Sequence, residues 1–321
     1  MTSAGVLRVV KPGLLSTVQD LGRWGHQASG VPVAGPMDMC SHRLANYLAG
    51  NAPDAATIEI TLIGPELIVD ADTVLSVCGA DFDLTCDGDM VAAGVSFPVR
   101  RGQTVRFGRR RGGARAYLGV AGGGVLLPPV LGSRATHLVS HMGGLDGRAL
   151  IAGDVLPVAA HASSVPTRAR GLTLPSAGRA RVRVAPGPQA DWFGDEAWRA
   201  LTSVSFRVSP RSNRMGYRLE GPPLTRSRDE EAISEPVCMG AIQVPSAGEP
   251  ILLMADRQTA GGYPKIGQVI SADLCLAAQL APGDFIEFAR CTEREAVAAL
   301  IARERELMAQ MVPGREGRSP A

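Results

Sequence analysis

Hydrophobic and polar residues alternate at period two in short runs along most of this chain. The clearest run, residues 57–62, puts Ile58, Ile60 and Leu62 on one side and Thr57, Glu59 and Thr61 on the other, the pattern of a half-buried strand. Comparable runs cover residues 7–10, 73–77, 104–107, 115–120, 181–184, 204–208, 251–254 and 284–288. Many of the 38 glycines and 23 prolines fall between them, where they punctuate turns. Helical patterns do not alternate regularly with these strands, so the chain is expected to be mainly β, a barrel or sandwich rather than a doubly wound sheet.

Three segments nevertheless carry helix signals. Asp38 is placed to cap a helix running to about Leu48, closed by Gly50 and Asn51. A second helix is expected from Ser271 or Ala272, carrying Leu274, Leu276, Ala277 and Leu280. The third begins at Thr292, where Thr292 and Glu295 have capping-box spacing and Val297, Leu300, Ile301, Met308 and Met311 share one face. Beyond Pro313 the chain is polar and glycine-containing, and disorder is expected there.

Composition sets limits on these elements. A length of 321 residues points to two domains, and residues 161–178, rich in Ser, Pro, Ala and Arg, read as the linker between them. With 45% apolar and 20% charged residues the material is globular. No apolar run reaches the roughly 18 residues that span a membrane, and no export signal opens the chain, so a cytoplasmic protein is expected, not a membrane one. A net charge of +2 and 4% aromatic residues argue against nucleic acid as a partner. The six cysteines show no zinc-type spacing and read as reduced, packed thiols. His137 and His141 are followed by Gly143 and Gly144, which favours a loop, so no metal site is expected.

Chemistry concentrates in residues 254–267, which hold Asp256, Arg257, Gln258, Gly261, Gly262, Tyr263 and Lys265. Lys265 is one of two lysines among 33 basic residues. In a chain that otherwise uses arginine, it points to a task for a compact ammonium, such as a point charge on phosphate or carboxylate. The glycine pair allows close backbone approach to a ligand. A tight turn with ordinary surface charges is the competing reading. Residues 16–26, with Gln19, Asp20 and Arg23, lead through a glycine- and proline-rich loop to Asp38. Residues 209–219, with Asn213 and Arg214, and then Glu235, form a third polar concentration. Ordered polar loops carry function, although Asp20 and Asp38 also fit plain turn capping. A P-loop, a nucleophile elbow and a complete dinucleotide fingerprint are all missing, which disfavours the corresponding enzyme classes.

Together, residues 16–23, 30–38 with Ser41, Arg43, Ala45 and Asn46, 184–193, 209–224, 233–243 and 254–266 resemble the allophanate hydrolase subunit 2 family. It is also called the biotin-dependent carboxyltransferase or urea amidolyase-related family, and its stand-alone members include the C subunits of bacterial 5-oxoprolinases. The resemblance covers nearly all of residues 5–290, with Ala260 standing where a second threonine is usual. It implies two cyclophilin-like β-barrel domains in tandem, at residues 1–165 and 166–312, the second ending in a helix, followed by a disordered tail at 313–321. It also implies an ATP-dependent hydrolase complex, in which the B and C subunits activate 5-oxo-L-proline by phosphorylation and the A subunit opens the ring to L-glutamate. ATP, with Mg2+, would then bind at a site shared with the partner.

Chemistry and motif position assign the roles within that resemblance. Lys265, Arg257, Asp256 and Asp20 are the candidate catalytic groups. Gln19, Arg23, Asp38, Asn213, Arg214, Glu235, Gln258 and Tyr263 are candidates for substrate binding, with Gly261 and Gly262 as a backbone loop. The transferred phosphate needs cations, and the lactam needs a carboxylate or amide to orient it. Two alternatives remain. One is carboxyl transfer to urea or a related amide from a separate biotin carrier, since neither lysine lies in the Ala-Met-Lys-Met context of covalent biotin. The other is a non-catalytic regulator that antagonises a kinase inhibitor.

Overall fold

The computed structural model describes residues 4–92, 94–160, 174–228, 230 and 232–311. The expected tail, most of the linker and the domain boundary at 165/166 lie outside the described residues. The first half contributes β1 (Ala4–Lys11), β2 (Leu15–Gln19), α1 (Met39–Leu48), β3 (Thr57–Thr61) and β4 (Glu66–Val69). It continues with β5 (Thr73–Cys86), β6 (Asp89–Val91), β7 (Ser96–Val99), β8 (Thr104–Val120) and β9 (Val155–Ala159). These strands form one nine-stranded sheet in the order β2-β3-β8-β4-β1-β9, with β5 paired to β8 and carrying β6 and β7. The sheet curls into a half-barrel.

The runs at 104–107 and 115–120, read separately in the sequence, are the two ends of the single strand β8. The glycines and arginines between them stay extended because β5 pairs with them, across three register shifts between Gly79 and Leu84. Such bulges bend and twist a strand, which allows one long strand to follow the curl.

The second half contains β10 (Arg179–Pro186), α2 (Asp195–Ser203), β11 (Ser205–Val208), β12 (Gly216–Glu220), β13 (Glu235–Pro236) and β14 (Ala241–Gln243). Then come β15 (Ile251–Leu253), β16 (Ala260–Gly261), β17 (Lys265–Val269), α3 (Leu274–Ala278), β18 (Phe285–Arg290) and α4 (Glu293–Met311). Seven of these strands close a barrel in the order β10-β17-β14-β15-β12-β11-β18, while β13 and β16 pair as a separate two-stranded flap. The barrel interior is packed with Val182, Val184, Phe206, Tyr217, Leu219, Ile242, Leu252, Ile266 and Phe288. A small barrel filled in this way leaves no lumen. The alternate positions, among them Gly216, Arg218, Gln243, Ile251 and Leu253, therefore face outward.

Local signals for helices hold closely. Asp38 caps α1, its Oδ1 accepting from the N–H of Cys40 at 3.1 Å and of Ser41 at 3.0 Å. The Thr292–Glu295 box forms in both directions, at 2.7 Å and 3.2 Å. The apolar face read on α4 turns out to be largely solvent-exposed: Val297, Ile301 and Met308 lie 58%, 48% and 58% exposed. Its anchoring contacts come instead from the neighbouring stripe, where Leu307 is buried with Leu44, Leu48 and Tyr117 and Ala296 and Ala299 pack on Ile270 and Cys291. Strand β3 departs in a related way, since all five of its residues are buried. The polar side of its alternation faces other protein rather than water.

Candidate functional site

The buried polar side of β3 meets the second half of the chain in a charged seam. Arg214, between β11 and β12, donates from Nε to Asp256 Oδ2 and from Nη2 to Asp256 Oδ1, each at 2.9 Å. Its Nη1 donates to Glu59 on β3, and Nη2 also reaches the carbonyl of Gly35 at 2.7 Å. Glu59 Oε2 accepts from the Tyr117 hydroxyl at 2.7 Å and from Met37 N–H at 2.8 Å. Tyr117 in turn accepts from Asp38 N–H at 2.7 Å. Asp38 Oδ2 accepts from Ser41 Oγ at 2.6 Å and from Gln279 Nε2 at 2.7 Å, which carries the network onto the turn after α3.

Burial alone would raise the Glu59 carboxyl, but Arg214 and Arg115 reverse the shift and hold it below the usual carboxylate range. Burial also opposes the Arg214 charge, and Asp256 and Glu59 overrule it. At Asp38 burial prevails over the hydrogen bonds and raises the carboxyl. Asp38, Cys40 and Cys275 bring ligand-type atoms within 4.8 Å of one another, but the Asp38 oxygens already accept four hydrogen bonds, so the trio does not fit a metal ligand set.

A second group lies wholly within the first half. Asp20 accepts from Ser133 Oγ and Arg134 N–H, both at 2.5 Å, and from Gly22 N–H at 3.0 Å. Arg23 is fully buried and donates to the carbonyls of Val130 and Ala135 at 2.9 Å. Gln19 Nε2 donates to Thr17 Oγ1 and the Thr136 carbonyl, each at 3.0 Å. These three bind residues 16–23 to residues 130–136. Arg257 reaches only the carbonyls of Val237, Met254 and Ala255, at 3.3–3.5 Å, and burial lowers its pKa.

The remaining candidates converge on the outer wall of the barrel. A groove of about 220 Å³ crosses β12, β15 and β14, lined among others by Arg211, Asn213, Arg218, Gln243, Gln258 and Tyr263. The flap of β13 and β16 stands beside it. Gly261 of that flap lies against both amides: a Cβ there would come within 2.7 Å of Gln243 Nε2 and 3.1 Å of Gln258 Nε2 and would displace these side-chain ends. At Gly262 a Cβ would meet the carbonyl of Ala232 at 3.0 Å. Gln243 is 1% exposed, yet among the described residues its Nε2 has no hydrogen-bond partner. Asn213 Oδ1 accepts from Met215 N–H at 2.8 Å, so the group it has left to offer is its NH2.

Lys265 lies next to this groove as the cross-strand neighbour of Gln243, and such neighbours share a face. Its Nζ is buried 2.6 Å from Glu235 Oε1, close enough for a strong ion pair but outside hydrogen-bonding angles. Gln189 ties the pair down: its Nε2 donates to Glu235 Oε1 at 2.6 Å, and its Oε1 accepts from Lys265 N–H at 3.1 Å. Lys265 and Gln189 hold the Glu235 carboxyl below the usual carboxylate range. Buried and already paired, Lys265 can act on a bound group only at short range or by exchanging partners with Glu235.

The sequence-derived candidates thus divide into three places. Asn213, Gln258 and Tyr263 line the groove with Lys265, Glu235 and the flap glycines Gly261 and Gly262 beside it, Asp38, Arg214 and Asp256 lie in the seam, and Gln19, Asp20 and Arg23 in the first-half loop; Arg257 stands apart, on backbone carbonyls. Gln243 and Gln189 escaped notice as site residues. A glutamine in the short apolar run Ala-Ile-Gln-Val was the available signal for the first. Glu59, a lone acid in an alternating strand, was the signal for the seam.

The chain matches the family described as carboxyltransferase domain, subdomain A and B, over residues 29–290. It is 39% identical to the 5-oxoprolinase C subunit of Escherichia coli K12, over 92% of this chain and 94% of that protein. Against the Haemophilus influenzae 5-oxoprolinase C subunit it is 37% identical, over 91% of this chain and 93% of that one. Among solved structures, the K. lactis urea amidolyase superposes with a TM-score of 0.88 at 31% identity, covering 98% of this chain. This chain spans only 20% of that longer enzyme.

Proposed function

The chain belongs to the family of carboxyltransferase domains built of subdomains A and B, and from that membership we propose that it is the C subunit of an ATP-dependent 5-oxoprolinase complex. Its task in this reading is to help the B subunit activate 5-oxo-L-proline, with the A subunit completing hydrolysis to L-glutamate. The observation that carries the reading is the buried, unpartnered Nε2 of Gln243 in the outer-wall groove. A buried donor left unpaired costs about 1–3 kcal/mol, so the groove is built for a ligand that supplies an acceptor. A lactam carbonyl is such an acceptor. The groove is also small, as a compact amide requires, and Arg211, Asn213, Arg218 and Gln258 bring polar groups to it.

The chemistry follows from the weakness of an unstrained amide as an electrophile. The lactam oxygen attacks the γ-phosphorus of ATP, ADP leaves, and the resulting O-phosphorylated lactam is open to water at its ring carbon. Water adds there, the ring C–N bond breaks with the nitrogen taking up a proton to leave γ-glutamyl phosphate, and a second water releases phosphate and glutamate. Gln243, Gln258 and the Asn213 NH2 orient the ring, while Arg211 and Arg218 provide cations for its carboxylate or for the transferred phosphoryl group. Mg2+ arriving with the nucleotide would offset phosphate charge at a surface shared with the B subunit. Lys265, held against Glu235, places positive charge behind the groove.

Reconstitution tests this reading. The chain alone is expected to hydrolyse almost no ATP in response to 5-oxoproline, and the complex with the A and B subunits to do so readily. A complex whose ATP hydrolysis is unchanged by 5-oxoproline would overturn it. The likeness to the K. lactis urea amidolyase favours a second reading, carboxyl transfer from a separate biotin carrier to a urea-like amide in the same groove. In that case carboxylated carrier, rather than ATP, would be consumed when the amide is added.

A further inference from the structure

A second cavity lies at the edge of the seam, on the other side of the Asn213–Met215 turn from the groove. We propose that it is a binding site for a small carboxylate with an apolar body, distinct from the outer-wall groove. Its volume is about 390 Å³, within the range of roughly 300–1,000 Å³ usual for small-molecule sites. The walls are apolar, with Leu14, Leu15, Leu62, Leu138, Met215 and Pro282 contributed by both halves of the chain. Leu14 and Val139 leave the rim 58% and 64% exposed.

The polar end of the cavity holds Arg115, on β8, together with Ser212, Asn213 and the mutually paired Arg214 and Asp256. Arg115 is 6% exposed, and among the described residues it forms no ion pair. Its Nη1 donates to the Tyr217 hydroxyl at 2.7 Å and to the carbonyls of Ala278 and Leu280, and the guanidinium lies 5.7 Å from the centre of the Tyr217 ring. No described residue accepts from Nε, which is buried and unpartnered, and none accepts from Nη2. The Nε–Nη2 edge is therefore the one without a protein partner, and this edge of a guanidinium can receive a carboxylate bidentately.

Arg214 is bound directly by two carboxylates, whereas Arg115 acts on Glu59 only at a distance and hydrogen-bonds to no carboxylate among the described residues. Buried charges are ordinarily paired because desolvation costs several kcal/mol per ion. A carboxylate from outside would supply the direct partner that Arg115 Nε lacks, and the surrounding leucines select one with a hydrocarbon body over inorganic phosphate or a polar acid.

Titration calorimetry on the full chain tests this with hexanoate as the probe. Hexanoate is expected to bind with a Kd below about 1 mM, and hexan-1-ol at least about tenfold more weakly. Val139→Glu, at the exposed rim, should weaken hexanoate about tenfold by placing a like charge at the entrance, with thermal stability unchanged. Saturating 5-oxoproline should leave hexanoate affinity as it was. Hexanol binding as tightly as hexanoate, displacement by 5-oxoproline, indifference to Val139→Glu, or no heat at millimolar hexanoate would each overturn the assignment.

Discussion

The seam and the outer-wall groove both concentrate buried polar groups, and they resolve them in opposite ways. In the seam, Arg214, Asp256, Glu59, Tyr117, Asp38 and Gln279 use one another's hydrogen bonds across the two halves. At the groove, Gln243 keeps a buried donor without an acceptor, and Asn213 and Gln258 line the same space. These six side chains, satisfied by one another, fix how the two halves meet and leave a ligand little to bind among them. An unsatisfied network is stable only at a cost, which binding repays. Asp256 and Lys265 stand nine residues apart in one motif yet serve these different ends, so density of functional groups along the chain does not by itself mark a working site.

The largest effect that would sharpen the contrast is on stability in the seam. Arg214→Leu strands Glu59 and Asp256 as buried charges, and removing one partner from such a pair costs about 3–5 kcal/mol. Urea denaturation should register that loss; a change below about 1 kcal/mol would mean that the seam is not the clamp described.

The polar side of β3 gives the next largest effect, through pH. His42 contacts Thr57 Oγ1 at 2.9 Å and the Pro53 carbonyl at 3.0 Å, and burial lowers its pKa from 6.5 to about 4. Between those values the unfolded chain binds the proton and the folded chain does not. This contribution is therefore complete above pH 6.5 and is lost as pH falls towards 4, by roughly 3 kcal/mol in all. Asp38, raised by burial, acts in the opposite direction at the acid end. Stability measured from pH 7 to pH 4 should consequently fall less steeply in His42→Gln than in the parent, and equal slopes would refute the assignment.

At the groove the effects should be smaller and functional. Gln258→Ala is expected to lower kcat/KM for 5-oxoproline in the reconstituted complex by about tenfold to a hundredfold, equivalent to roughly 1–3 kcal/mol. Its unfolding free energy should stay within about 0.5 kcal/mol of the parent. Equal losses of stability and activity would erase the distinction between groove and seam.

Much of the fold could be read from local pattern, because a cap or a strand alternation is decided within a few residues. The Asp38 cap and the Thr292–Glu295 box are cases of this kind. Helix α2 was missed although Gly194, an acidic first turn and the apolar set Ala197, Trp198 and Leu201 announced it. What local pattern cannot show is which face meets which. The polar side of β3 looked like a solvent face because Arg214, its partner, is 155 residues away. The apolar side of α4 looked like the packing face for the same reason. At the site, the density of the 254–267 motif located the neighbourhood of the groove, but separating Lys265 and Gln258 from Asp256 and Arg257 required the closed barrel, which sends alternate positions inward and outward.

Lys265 provides the most direct test of the claim that the groove, and not the seam, is the working site. Lys265→Arg keeps the charge beside Glu235 and replaces a compact ammonium with a broad planar group in a buried space, where a shift of about 1 Å can cost on the order of a hundredfold in rate. The measurement is 5-oxoproline-dependent ATP hydrolysis by the complex reconstituted with this variant, alongside its thermal unfolding. The account predicts a fall of at least about tenfold in turnover, roughly 1.4 kcal/mol of barrier, with little change in stability. Turnover within about twofold of the parent would contradict it.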